Sequence, residues 1–144
     1  ADQAVVLSRE HDFPFWLGTG LVMQGWALAQ KGKTDIGLAR LEEGISVFER
    51  TGGRIQIPNW YGLKAETLLR AERFDDARAS ADYALSWAKQ TGDIWFTPRV
   101  LAVQAQILRC EHKEGEAEAL MAKVKQMATD NSIAEAFYTV APQR

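Results

Sequence analysis

"ERTGG" at residues 49–53 returns as "KQTGD" at residues 89–93, forty residues further along the chain. Holding that offset brings the remaining residues into register. Gly25 falls on Ala65 and Ala105, Leu28 on Leu68 and Leu108, and Leu21 on Tyr61 and Leu101. Gly37 meets Ala77 and Ala117, Leu41 meets Ala81 and Met121, and Gly44 meets Ala84 and Val124. Columns that stay small or apolar through three ungapped copies mark an internal repeat. A period of this size implies stacked supersecondary units.

Each copy reads as two helices. In "WLGTGLVMQGWALAQ" (16–30) Leu17, Leu21, Gly25 and Leu28 recur at intervals of three and four, the spacing of one helix face. "KGKT" turns the chain, and "DIGLARLEEGISVFER" (35–50) carries Ile36, Leu41, Ile45 and Phe48 on a second stripe before "TGG" closes it. Copy two opens after Pro58 with "NWYGLKAETLLRAE", turns at "RFDD" and runs "ARASADYALSWAKQ" to "TGD". Copy three runs "IWFTPRVLAVQAQILRC", turns near "EHKE" and continues "GEAEALMAKVKQMATD". No stretch sustains period-two alternation, so an all-α fold is expected, a helical-hairpin solenoid over residues 1–144 as one domain. Its repeats are 13–52, 53–92 and 93–131. Residues 1–12 align with 41–52 and read as a partial second helix, and 132–144, with "SIAEAFYTVA", as a partial first helix. Phe137, Tyr138 and Val140 are apolar where a capping repeat has a polar face. The expectation is a piece of a longer array, or an array end that self-associates.

One motif competes with this reading. "ALAQKGKT" (27–34) satisfies a relaxed phosphate-loop pattern through Gly32, Lys33 and Thr34. That loop needs a strand before it and a helix after it, so that backbone N–H groups point at phosphate oxygens. Here the preceding segment is helical by its periodicity, and the three residues align with Glu72, Arg73, Phe74 and with His112, Lys113, Glu114 in the turns of the other copies. The match is read as accidental, and Lys33→Ala is expected to be nearly silent.

Composition narrows the function. Of 144 residues 47% are hydrophobic and 25% charged, and the net charge of −2 offers no general attraction to nucleic acid or anionic lipid. Apolar runs fall far short of a membrane span. A single cysteine, Cys110, excludes an internal disulfide and fits the reducing cytoplasm. His11, His112 and Cys110 do not make a zinc-site spacing, and no cofactor is expected. Glu42 with Glu43, and Asp75 with Asp76, are adjacent and diverge around a helix, so no catalytic residue and no enzymatic activity are assigned to this chain.

The small-residue columns let antiparallel helices approach closely. With Gly25, Ala65 and Ala105 on first helices and Gly37, Ala77 and Ala117 twelve residues later, the chain resembles the tetratricopeptide (TPR) repeat family. The period of forty exceeds that family's 34, the closing Pro is missing, and Val124 replaces a small residue. Thr51, Gly52, Pro58, Tyr61, Ala77, Ala84, Leu85, Thr91, Gly92, Asp93 and Trp95 further resemble the C-terminal repeat region of large bacterial signalling proteins, namely class III adenylate/guanylate cyclases or ATPase-containing transcriptional regulators. The resemblance implies a right-handed α-α superhelix and a concave groove lined by first helices. The implied groove residues are Thr19, Val22, Met23, Trp26 and Gln30; Asn59, Leu63, Glu66 and Arg70; and Arg99, Gln106 and Arg109. The family's carboxylate clamp for chaperone C-termini needs Lys and Asn where this chain has Val22, Trp26, Gly62 and Glu66, so that ligand class is not expected. Trp26 reads equally as a groove contact or as packing between repeats, whereas Trp16, Trp60, Trp95 and Phe96 read as core. Arg70, Arg99 and Arg109 form either an anion-accepting patch or solvated surface. A scaffold that binds a protein or peptide segment is the expected function, with an oligomerisation module as the alternative.

Overall fold

The computed structural model describes residues 1–140, and their regular structure is helical throughout: seven α-helices and a short 3₁₀ turn, with no strand among the described residues. The chain divides into two units at Gln56 and Ile57.

The first unit holds α1 (Asp2–Glu10), α2 (Pro14–Gln30) and α3 (Thr34–Arg50). Pro14 opens α2 at a position where its missing N–H costs nothing. Gly32, at φ +81, turns the chain into α3. The phosphate-loop motif is thus a turn between two helices. Along α2 and α3 the two backbones nearly touch. A Cβ on Gly25 would lie 2.5 Å from both the Gly37 carbonyl oxygen and the Leu41 nitrogen, and one on Gly37 would lie 2.6 Å from the Gly25 carbonyl oxygen. Leu21, Leu41 and Phe48 are wholly buried beside this seam.

The second unit contains α4 (Ile57–Arg70), α5 (Phe74–Thr91), α6 (Thr97–Cys110) and α7 (Glu114–Asp130), followed by the 3₁₀ turn Glu135–Phe137. Ala65, Ala77, Ala105 and Ala117, the counterparts of Gly25 and Gly37, have no exposed surface. Substituting Ala77 with Leu should therefore overpack the α4–α5 pair and lower stability by about 1–3 kcal/mol, read from the midpoint of urea unfolding. An unchanged midpoint would show that this seam has slack.

The repeat is written in the backbone as well as in the residues. Left-handed conformations recur at Gly32, Glu72 and His112 inside the hairpin turns, at Gly52, Gly92 and Ser132 after each hairpin, and at Asp12 in the equivalent place after α1. Specific contacts recur too. Gln24 of α2 donates to the Asp2 carboxylate of α1 at 2.7 Å, and Gln104 of α6 donates to Asp82 of α5 at the same distance. In the third copy's turn Glu111 pairs with Arg78 and, at 3.0 Å, with Lys113. The hydrogen bond from Lys113, then that from Arg78, hold its carboxyl below the usual carboxylate range.

Two expectations are corrected. Copy three's first helix starts at Thr97, leaving Ile94, Trp95 and Phe96 outside it. The reason is Asp93, whose Oδ2 accepts the N–H groups of Phe96 and Thr97, each at 3.0 Å, and so fixes the helix start downstream. The terminal first helix expected over 132–144 is also absent from the described part of that segment. Residues 132–140 form only the 3₁₀ turn, anchored by buried Ile133 and Val140. So short a helix needs tertiary packing along its whole face, and Phe137 remains 60% exposed. Residues 141–144 of that expected helix lie outside the described residues.

Candidate binding groove

An open apolar groove of the first unit lies between α1 and α2. Gly20 lets the two helices meet closely: a Cβ there would sit 3.0 Å from the Val5 side chain, which would have to give way by a few tenths of an ångström. The Gln24–Asp2 hydrogen bond and a 2.9 Å bond from the Phe13 N–H to the Ser8 carbonyl set the splay of the helices. Beyond these ties they part, leaving a groove of about 590 Å³, within the range of small-ligand sites.

Its walls follow from helical spacing. Trp16, Gly20, Met23 and Ala27 form one stripe along α2, with Thr19 and Trp26 beside it, and Ala4, Leu7 and Ser8 face them from α1. Ser8 and Thr19 supply the only side-chain hydroxyls, and no lining side chain carries a formal charge. The Thr19 hydroxyl is already used, donating to the Phe15 carbonyl. The apolar walls are wet. Trp16 is 61% exposed, Leu7 and Phe13 54% each, and Met23 38%. Such a surface gains by covering: each large side chain fully removed from water contributes about 1.5–3 kcal/mol.

Of the residues expected to line a groove, Met23 and Trp26 stand together here with Thr19. Trp26 is half-buried, a position consistent with both of its readings. Val22 is wholly buried and lines nothing. Gln30 lies at the end of α2, outside this groove. The remaining candidates belong to the second unit. There Leu63 and Glu66 are corrected from groove to interior, at 4% and 2% exposure. Glu66 tolerates burial because Arg99 of α6 donates to it at 2.6 Å, tying α4 to α6. Arg109 is paired as well, with Glu114 at 3.3 Å. Arg99 is therefore committed to a buried carboxylate of its own chain, whereas the Arg109–Glu114 contact is a solvent-exposed pair. Asn59, Arg70 and Gln106 are half-buried on α4 and α6.

Leu7, Phe13 and Trp16 were not among the expected contacts. Leu7 lies on what reads as a second helix, Phe13 precedes α2, and Trp16 reads as core from its place at a helix start. Only the exposure of all three on one groove reveals them. No protein-family model, curated protein or solved structure matches this chain.

Proposed function

We propose that this chain is a protein–protein interaction module, a TPR-like α-α superhelix that takes a peptide or protein segment of a partner. The single observation behind this reading is the α1–α2 groove, with Trp16 and Met23 exposed and Trp26 half-buried along one helix face. Aromatic and Met side chains at the centre of an uncharged patch are the composition of an interface core. The proposed setting is the cytoplasm, in a larger bacterial signalling protein of the cyclase or regulatory-ATPase kind; it rests on the resemblance of the repeat motifs. No catalytic role is proposed for the chain itself. Among the described residues no helix is long and apolar enough to cross a membrane, and no cluster of metal-ligating side chains occurs.

A test follows from the exposure of Met23. Peptides selected from a display library on the immobilised chain should lose at least about tenfold in affinity on Met23→Glu, since a desolvated carboxylate costs more than 1.4 kcal/mol. The melting temperature should hardly move, because the substituted side chain already reaches solvent. Selected peptides indifferent to Met23→Glu and to Trp16→Ala would remove this groove from the function.

A further inference from the structure

Each hairpin closes on the same two positions, one in the last turn of its second helix and one in the loop that follows. In two of the three copies one of these positions brings a large, buried apolar side chain. Copy one supplies it from the helix: Phe48 is wholly buried, and a Cβ on Gly53 would lie 2.8 Å from its ring. Copy three supplies it from the loop. Ala128 stands in the place of Phe48, and Ile133, in the place of Gly53, is buried and donates its N–H to the Ala128 carbonyl at 2.8 Å. Copy two keeps that backbone bond, from the Asp93 N–H to the Ala88 carbonyl at 2.9 Å, but has neither bulky side chain. What remains is a hollow of about 270 Å³ at the end of α5, with Leu85, Ala88 and Ile94 as its apolar lining and Thr97, Lys89 and Asp93 beside them. That is room for an amino-acid side chain, since a cavity of about 150 Å³ already holds benzene.

The hollow also carries both signs of charge. Oδ2 of Asp93 accepts the N–H groups of Phe96 and Thr97 and the Thr97 hydroxyl. Its other oxygen, Oδ1, accepts no hydrogen bond, and Lys89 makes no ion pair, among the described residues. We propose that this hollow binds a free α-amino acid with a branched aliphatic side chain. The side chain supplies the bulk that Phe48 and Ile133 bring to the other copies, the α-ammonium meets Oδ1 of Asp93, and the carboxylate meets Lys89. A zwitterion answers both charges, whereas a simple amine or a simple acid sets its charge beside one of like sign. Asp93 also selects against a ring, because its Cβ stands where copy one needs glycine to seat Phe48. The site lies wholly in the second unit and does not depend on the α1–α2 groove.

The probe is L-isoleucine, titrated into the full chain while NMR follows the methyl resonances of Leu85, Ala88 and Ile94. These should shift together and saturate, while those of Val22 and Leu41, buried in the first unit, stay in place. The corresponding acid without the amino group, and the corresponding amine without the carboxyl group, should each bind at least about tenfold more weakly, the loss expected for one charged hydrogen bond. Asp93→Asn keeps an oxygen for the N–H groups of Phe96 and Thr97. It should weaken isoleucine by about tenfold without weakening the amino-free acid. Lys89→Ala, at an exposed position, should weaken isoleucine by a similar factor at an unchanged melting temperature. Ala88→Met should fill the hollow and abolish binding, since Met adapts to irregular gaps. An absence of saturable shifts at the three methyls would overturn the proposal, as would equal binding of isoleucine and its two analogues. Tighter binding of L-phenylalanine would overturn it by removing the aliphatic selectivity. Equal binding of N-acetyl-isoleucine amide would overturn it by making the ligand a peptide side chain and not a free amino acid.

Discussion

Gly25→Ala should destabilise the first unit by about 3 kcal/mol, the upper part of the range for overpacking. Two effects oppose each other. Alanine is the better helix former by about 1 kcal/mol, and the equivalent positions are Ala65 and Ala105, so repeat alignment alone favours the substitution. Against this, the new Cβ would stand 2.5 Å from the Gly37 carbonyl oxygen and the Leu41 nitrogen. Those are backbone atoms of a facing helix and cannot rotate away, so α2 and α3 must separate along the seam that buries Leu21, Leu41 and Phe48. The steric term wins. Urea unfolding of the variant checks the sign, and a gain in stability would mean that the two helices stand further apart than described.

The second large effect concerns Arg99. Replacing it with Ala should cost about 3 kcal/mol, because Glu66 stays in an interior position, 3% exposed at its side chain, without its guanidinium partner. Arg99→Lys should recover only part of this, since an ammonium on a flexible stem does not reproduce the fork of an arginine. Glu66→Gln with Arg99→Met, an uncharged pair of similar volume, should lie much closer to the parent. A double-mutant cycle read by denaturant midpoint separates the pair from its surroundings. If Arg99→Ala were neutral, the ion pair would be surface decoration and α4 would be tied to α6 by apolar contacts alone.

Much of the helical layout was legible in the residues. The forty-residue offset located every hairpin turn, because Lys31, Ala71 and Glu111 start turns at matched positions. The small columns marked where helices meet. What stayed hidden has identifiable physical causes. That Gly25 and Gly37 bring two backbones together depends on distances no residue name carries. Glu66 reads as surface from its type, since carboxylates are rarely buried; its burial requires Arg99, which lies 33 residues away in the next repeat. Asp93 set the start of α6 by accepting the N–H groups of Phe96 and Thr97, which the sequence reading places within the helix's opening turn. Met23 and Trp26 came from the resemblance as lining of a groove between successive first helices, whereas the groove they line here lies between α1 and α2. Leu7 was missed because it belongs to the other kind of helix, and Trp16 because a large aromatic at a helix start is commonly core.

The central claim is that partners bind in the α1–α2 groove, and methyl-resolved NMR tests it most directly. Titrating a library-selected peptide into the labelled full chain should shift the methyl resonances of Ala4, Leu7, Met23 and Ala27 and the indole signals of Trp16 and Trp26, all of them groove-lining residues. Val103 and Ile107, wholly buried in the second unit, should stay in place. Shifts concentrated on Asn59, Arg70 and Gln106 with the groove signals unmoved would contradict the account and transfer the binding surface to α4 and α6.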